Sequence, residues 1–310
     1  MPPHLELENE AARWFEKEAA LYFSSGWSAN QALLATLPKK GDLVLMDRFD
    51  HASIIDAVKS CEADFRTYRR DNPERLEKYL ADSRYRNRCI VTESVFSMDG
   101  DCADLAVLAE LKNRYNAVLI ADEAHALGCF GASGAGLAQE HGLLGEIDII
   151  VAPLGKAAAS SGACIAAPRT VIDYMINRAR PFIYTTAPPP ACAAAALKAI
   201  LIIQEEPQRR KKLHENAKFL RDELTKMGLN IGRSTTQIIP LIVGDSQKAI
   251  QLAEHLDKKG FFILPIRPPT VPPGAARLRI SVQSGHTHAQ LESLLDALRD
   301  FSGLLAAGSG

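Results

Sequence analysis

The sequence predicts an α/β fold with a mostly parallel sheet and a second, smaller α/β domain. Three observations predict it. Residues 43–46, 89–92, 117–121 and 149–152 are short runs that are apolar but for Thr92, the pattern of strands covered on both faces. Amphipathic helical patterns lie between them, at about 52–60, 73–81 and 104–115. Polar residues follow the runs, and in such a sheet ligands bind beyond the carboxyl ends of the strands.

The elements follow in order. Residues 24–30, Ser-Ser-Gly-Trp-Ser-Ala-Asn, form a glycine-containing turn that feeds an apolar helical pattern. The strand at 43–46 leads to Asp47 and His51, and the strand at 89–92 leads to Glu93 and the polar stretch up to Gly100. The strand at 117–121 ends in Asp122, with His125 three residues on. Gly128, Gly131, Gly134 and Gly136 then mark an irregular loop. The strand at 149–152 leads to Lys156, followed by the small residues Ala157, Ala158, Ala159, Ser160, Ser161, Gly162 and Ala163. Helical patterns cover about 189–203 and 208–227, and the charged segment 205–210 separates them. The domain boundary falls there, giving a large domain over 1–204 and a small one over 205–302. The small domain reads as a strand at 238–243, a helix at 246–259, a strand at 277–282 and a helix at 287–301. Residues 303–310 read as a flexible tail.

Composition narrows the function. Hydrophobic residues make up 47% and charged residues 24% of the 310, with a net charge of -1. That balance carries no electrostatic footprint for nucleic acid or an anionic membrane. No apolar run reaches the ~20 residues of a membrane span. The first six residues lack the basic and apolar regions of a signal peptide. Six cysteines are scattered without a CxxC pair, which argues for the reducing cytoplasm and against a metal site or disulfide frame.

Lys156 is the residue around which a site is expected. Burial lowers a lysine's pKa, and the neutral amine attacks carbonyls; the alternative is an ordinary surface lysine. Asp122 is placed to point into the ligand crevice, or to cap the next helix with His125 in a turn. His51 is placed to stack on a planar ring, or to serve as a cap. The turn at 24–30 offers free amides and a helix dipole to an anion. Pyridoxal 5'-phosphate needs this set: a lysine for the Schiff base, a carboxylate for the pyridine nitrogen, and amide donors for the phosphate.

With these residues in view, the chain resembles the α-oxoamine synthases, a branch of the fold-type I pyridoxal-phosphate-dependent transferases. The segments that carry the resemblance are 23–27, 47–53, 92–101, 122–128, 154–156 and 180–186, spread in order along the chain. Within the family, residues 266–274 with 276–280 resemble the biotin-pathway branch, which joins L-alanine to pimeloyl-CoA or a pimeloyl carrier protein. Sister synthases that use glycine or serine carry a similar turn, so that alternative stays open. A non-catalytic homologue that keeps the fold and dimer stays open too.

The resemblance implies a role for each position. Lys156 holds the cofactor and removes the substrate α-proton. Asp122 pairs with the ring nitrogen and His51 stacks on the ring. His125 and Ser97 lie near the ring hydroxyl. The amides of Gly26 and Trp27 hold the phosphate. Thr185 or Thr186 reaches the phosphate of a second subunit in a homodimer with shared sites. Arg267, with Thr270 nearby, binds a substrate carboxylate, a task suited to the planar guanidinium fork.

Three departures from the family pattern stand out. The resemblance begins at His4-Leu5-Glu6-Leu7-Glu8, after the family's N-terminal arm. That arm contributes acyl-substrate contacts and dimer interface, so acyl binding is expected to suffer. Pro153 stands where the family has Ser or Thr and has no N–H or hydroxyl to give a phosphate. One charge-assisted hydrogen bond, worth about 1.5–3 kcal/mol, is then missing. Arg70 stands where histidine is common and is expected at the surface.

Overall fold

The computed structural model describes the backbone of residues 1–307 and the side chains of residues 1–300. The chain forms two compact units, Met1–Phe96 with Ala103–Pro207, and Ser97–Cys102 with Gln208–Gly310.

The first unit runs α1 (Pro2–Trp14), β1 (Ala19–Phe23), α2 (Gly26–Thr36), β2 (Leu43–Asp47), α3 (Ala52–Ser60), β3 (Asp64–Tyr68), α4 (Pro73–Leu80) and β4 (Arg88–Glu93). It continues with α5 (Leu105–Tyr115), β5 (Val118–Asp122), α6 (Leu137–Glu140), β6 (Ile149–Pro153), β7 (Ala163–Ala167), α7 (Arg169–Arg178), α8 (Arg180–Ile183) and α9 (Pro190–Glu205). The seven strands form one sheet in the order β1-β7-β6-β5-β4-β2-β3. Strands β2 to β6 are mutually parallel, and β7 is antiparallel to both of its neighbours. β7 is thus the one strand of this sheet that runs against the rest.

Local sequence explains the helix starts. Ser25 and Ser28 cap α2 reciprocally, Asn72 caps α4 ahead of Pro73, and Asp104 caps α5. α5 stops at Asn116, which takes the left-handed conformation at φ 48°. The core under the sheet includes Leu33, Val44, Ile54, Ile120, Val151 and Ile165, all at most 2% exposed. Fully burying each such side chain stabilises the fold by about 1.5–3 kcal/mol.

Several elements have no counterpart in the sequence reading, among them β1, β7, β3 and α1. β1 and β7, Ala-Ala-Leu-Tyr-Phe and Ala-Cys-Ile-Ala-Ala, are alanine-rich and so weak as strand formers, yet both are buried at every position. Their pairing with each other and with β6 decides their state. β3 is an edge strand exposed at its first four residues, so it lacks the apolar run of its neighbours. α1 buries Leu7, Ala11 and Trp14 among polar residues.

In the second unit, α10 (Pro207–Lys226), β8 (Ile238–Gly244), α11 (Ser246–Lys258), β9 (Pro265–Ile266), β10 (Ala276–Ser281) and α12 (His288–Ala307) surround a three-stranded antiparallel sheet, ordered β8-β10-β9. α12 runs on through part of the stretch expected as a tail, and residues 308–310 of that tail lie outside the described residues. Among the described residues no helix is long and apolar enough to cross a membrane.

Candidate active site

A cavity of about 420 Å³ opens in the first unit. Gly26, Trp27, His51, Asp122, His125 and Lys156 all line it, together with Asn30, Ser53, Glu93, Pro153, Gly155 and several serines. Sheet order explains the convergence. β2, β4, β5 and β6 are neighbours and parallel, so the residues at and after their carboxyl ends meet at one edge.

Asp122 closes β5 and is 4% exposed. Its Oδ1 accepts the Ala124 amide at 2.9 Å, and its Oδ2 accepts Asn30 Nδ2 at 2.9 Å. Desolvation pushes its pKa up; these hydrogen bonds and the nearby Lys156 and His51 pull the other way. Asn30 sits in α2 and is 2% exposed. Its Nδ2 also donates to Ser53 Oγ at 2.9 Å, and Ser53 Oγ lies 2.8 Å from His51 Nδ1. The Ser53 amide donates to that same nitrogen at 3.2 Å. Nδ1 is therefore the acceptor of the ring, and its proton belongs on Nε2.

His51 is both the N-cap of α3 and a wall of the cavity. Asp122 likewise closes a turn through Ala124 while facing the cavity. His51 is surface-exposed at the rim. Desolvation by the surrounding walls still outweighs the pull of Asp122, and its imidazole sits below its ordinary value. A neutral ring results, suited to stacking.

The start of α2 forms the opposite wall. The reciprocal cap uses the amides of Ser25 and Ser28. The amides of Gly26 and Trp27 have no acceptor within the helix. Gly26 is required by the close approach of Pro153: a Cβ there would stand 2.9 Å from Pro153 Cγ. Trp27 is 47% exposed, with its ring edge-on to His51 at 6.5 Å between centroids.

Lys156 lies in the turn between β6 and β7, where its carbonyl accepts the Ala159 amide at 3.0 Å. Its side chain is exposed at the cavity, which corrects the expectation of a buried amine. The turn of small residues leaves it open to the cavity. Arg70 also departs from expectation: its side chain is only 17% exposed. Its amide donates to Asp47 Oδ2 at 2.9 Å, its guanidinium stands 3.5 Å from Asp47 Oδ1, and its Cζ lies 3.8 Å from the centre of the Phe96 ring. A buried carboxylate and an aromatic face draw it inward.

The remaining predicted residues lie elsewhere. Thr185 and Thr186 are exposed in the loop after α8. Ser97, Arg267 and Thr270 belong to the second unit. Ser97 is 8% exposed and its carbonyl accepts Arg279 Nε. Arg267 and Thr270 are exposed and form a turn through the Thr270 amide at 3.1 Å.

Asn30, Ser53 and Glu93 are cavity residues absent from the sequence-derived set. Asn30 carried a legible signal, a polar side chain within an apolar helix face. Glu93 is 1% exposed, and its Oε1 has no hydrogen-bond partner. Free first-turn amides, a lysine, a carboxylate held by two donors and an unsatisfied carboxyl oxygen together fit a phosphorylated, nitrogen-containing ring. Gly26 and Trp27 are the candidates for its phosphate, Asp122 for its ring nitrogen and Lys156 for its aldehyde.

Comparisons with known proteins agree with this donor set. A family model described as aminotransferase class I and II matches residues 1–298. The chain is 41% identical over 298 residues to an 8-amino-7-oxononanoate synthase of Alkalilimnicola ehrlichii, covering 96% of this chain and 76% of that protein. It is 40% identical to the enzyme of the same name from Geobacter sulfurreducens, over 96% of this chain and 77% of the relative. A serine palmitoyltransferase from S. paucimobilis, solved with a bound PLP–myriocin aldimine, superimposes with a TM-score of 0.95 at 29% identity, covering 99% and 78% of the two chains. An 8-amino-7-oxononanoate synthase from Francisella tularensis superimposes with a TM-score of 0.87 at 30% identity, covering 99% and 89%.

Proposed function

Belonging to the class I and II aminotransferase family, the chain is a pyridoxal 5'-phosphate-dependent α-oxoamine synthase, and we propose that it joins L-alanine to a pimeloyl thioester. The products are then 8-amino-7-oxononanoate, carbon dioxide and the free thiol carrier. The observation that carries this reading is the single cavity lined by Lys156, Asp122, His51 and the amino end of α2. The names of the relatives supply the product, 8-amino-7-oxononanoate, and the substrates are those the family resemblance implies.

Bound there, pyridoxal phosphate supplies an electron sink for a carbanion at the substrate α-carbon. The chain's own residues do the rest. Asp122, held by Asn30 and the Ala124 amide, keeps a negative charge where the ring nitrogen is protonated. His51, neutral and fixed through Ser53, covers the ring face. The amides of Gly26 and Trp27 hold the phosphate, with Pro153 contributing only shape. Lys156 has an open path to the cavity and takes the α-proton on Nζ. His125, on the cavity wall, is placed to orient the ring hydroxyl. The exposed loop carrying Thr185 and Thr186 serves the partner's phosphate in a homodimer. The 72% exposure of Tyr184 and 43% of Ile183 support an interface there.

The serine palmitoyltransferase neighbour keeps a second reading in play, a sister synthase that uses another amino acid. The higher sequence identity to the biotin-pathway enzymes favours alanine. The test is to supply purified protein with pyridoxal phosphate, pimeloyl-CoA and alanine, glycine or serine in turn, and to measure carbon dioxide and product mass. Product from alanine alone is expected. Product from serine or glycine in preference would replace this reading with the sister one.

A further inference from the structure

The cavity wall holds a second carboxyl beside Asp122 that none of these roles uses. Glu93 is the last residue of β4, and Asp122 is the last residue of β5. The strands are parallel and pair Glu93 directly with Asp122. Both side chains line the cavity, at 1% and 4% exposure. Their hydrogen bonding is unequal. Asp122 receives a donor on each oxygen. Glu93 faces the backbone amide of His51, while its Oε1 is buried without a partner.

We propose that Glu93 is a positioning residue for Asp122: it stays in the acid form on the cavity wall, so that Asp122 is the single anion opposite the cofactor's ring nitrogen. This rests on the cofactor reading above. Two adjacent carboxyls out of water cannot both ionise cheaply, and the one with more donors keeps the charge. Here the donors are on Asp122. A neutral Glu93 also gives its bare oxygen a proton to share, and its other contact fixes the backbone of His51. One acid thus serves both Asp122, which would hold the ring nitrogen, and His51, which would cover the ring face.

The charged and titratable groups around Glu93 come from five places. Asp122 lies on β5 and Lys156 follows β6. His51 caps α3, Asp47 and Asp50 lie at and beyond the end of β2, and Arg70 follows β3. Asp50 accepts the Glu93 amide at 3.0 Å and the Asp47 amide at 2.9 Å, tying the ends of β4 and β2 together. Desolvation, then Asp122, push Glu93 up to about 8, against the pull of Lys156, the His51 amide and Arg70.

Infrared spectroscopy of the protein without cofactor tests this directly. The difference spectrum between wild type and Glu93→Gln should contain a protonated-carboxyl band at neutral pH that disappears with a midpoint near 8. In Asp122→Asn the same band should titrate at lower pH, because the neighbouring anion is gone. Should Glu93→Gln not fold, Glu93→Ala supplies the reference spectrum, because Glu123 also titrates at about 7 and is pushed up by Asp122. Adding pyridoxal phosphate to the wild type at neutral pH should leave the band in place. A missing band, a midpoint indifferent to Asp122→Asn, or loss of the band when the cofactor binds would each overturn the proposal. If the wild type shows no cofactor absorbance at all, the cofactor reading has failed, while the first two arms still decide the pairing of the carboxyls.

Discussion

Buried polar groups are treated differently around Arg277 and at the strand ends that line the cavity. Around Arg277, in the second unit, they saturate one another. Arg277, 5% exposed, donates from Nη1 to Asp99 Oδ1 at 2.6 Å and to the Met98 carbonyl at 3.2 Å, and from Nε to the Ala275 carbonyl at 3.0 Å. Thr236 Oγ1 donates to the Gly100 carbonyl at 2.9 Å, and the Thr235 amide donates to that same carbonyl at 3.0 Å. In the first unit, the carboxyl ends of the strands keep hydrogen-bonding capacity open at Glu93 and at the start of α2. Glu123 is an internal control. It is buried one residue from Asp122, but its two oxygens take the amides of Leu137 and Ala138 at 2.9 and 3.0 Å. Gly136 makes room for it, since a Cβ there would lie 2.4 Å from Glu123 Oε2. A saturated buried group sets geometry; one left open at a cavity is available for chemistry.

Substitutions can break this contrast, and the largest effect belongs to Lys156. Lys156→Ala should lower turnover by about four orders of magnitude or more, over 5 kcal/mol of barrier. Its exposed side chain should leave stability within about 0.5 kcal/mol. Mass spectrometry after borohydride reduction should find no cofactor attached, and an adduct on the variant would contradict the assignment. Asp122→Asn keeps the size and removes the charge. Exchange of the bound amino acid's α-proton, followed by NMR in deuterated water, should slow by roughly two to three orders of magnitude, about 3–4 kcal/mol. Unchanged exchange at full occupancy would remove Asp122 from the mechanism.

Arg277→Ala attacks the saturated side of the comparison. It should destabilise the protein by roughly 3 kcal/mol in urea unfolding, because Asp99 loses its charged partner. A loss of less than about 1 kcal/mol would mean that the saturated groups are not structural. Pro153→Thr sharpens the open side by adding a donor. It should tighten pyridoxal phosphate binding by up to about 1.5–3 kcal/mol in fluorescence titration, and no tightening would place the phosphate away from Pro153.

The smallest effect is in the pH dependence of the cofactor-free protein. Burial raises Glu93 to about 8 and Glu123 to about 7, and raises Asp50 as well. Between the ordinary carboxylate range and about pH 8 the native state therefore binds more protons than the unfolded state, so stability falls as pH rises. The Tm should be higher at about pH 6 than at about pH 8, and Glu93→Gln should flatten the slope. A Tm that climbs with pH would refute the acid form of these groups.

Much of the site was legible because a parallel sheet gathers strand ends. Lys156, Asp122 and His51 each follow an apolar run, and sheet order brings those runs side by side. Glu93 follows such a run too, but in one dimension it looks like any glutamate after a strand; its neighbour Asp122 comes from another strand. Arg70 was misplaced for the same reason, since its partners Asp47 and Phe96 are distant in sequence. The strands β1 and β7 were hidden by alanine, which has no strong preference to announce. Lys156 lines the cavity after its strand, but its exposure was not foreseen, because small neighbours create space as readily as they permit close packing.

The six residues Ser97–Cys102 have a consequence for how the molecule is made. They leave the first unit after Phe96 and rejoin it at Ala103, and within the second unit they meet Arg277 and Thr236. No single cut of the chain separates the two units, so neither can be excised intact as a contiguous fragment. During synthesis these residues emerge long before β10, and Asp99 must wait for Arg277 to leave the ribosome. The second unit is therefore completed only after β10 has been made, and a nascent chain stalled before β10 lacks the pairings that hold this early segment in place.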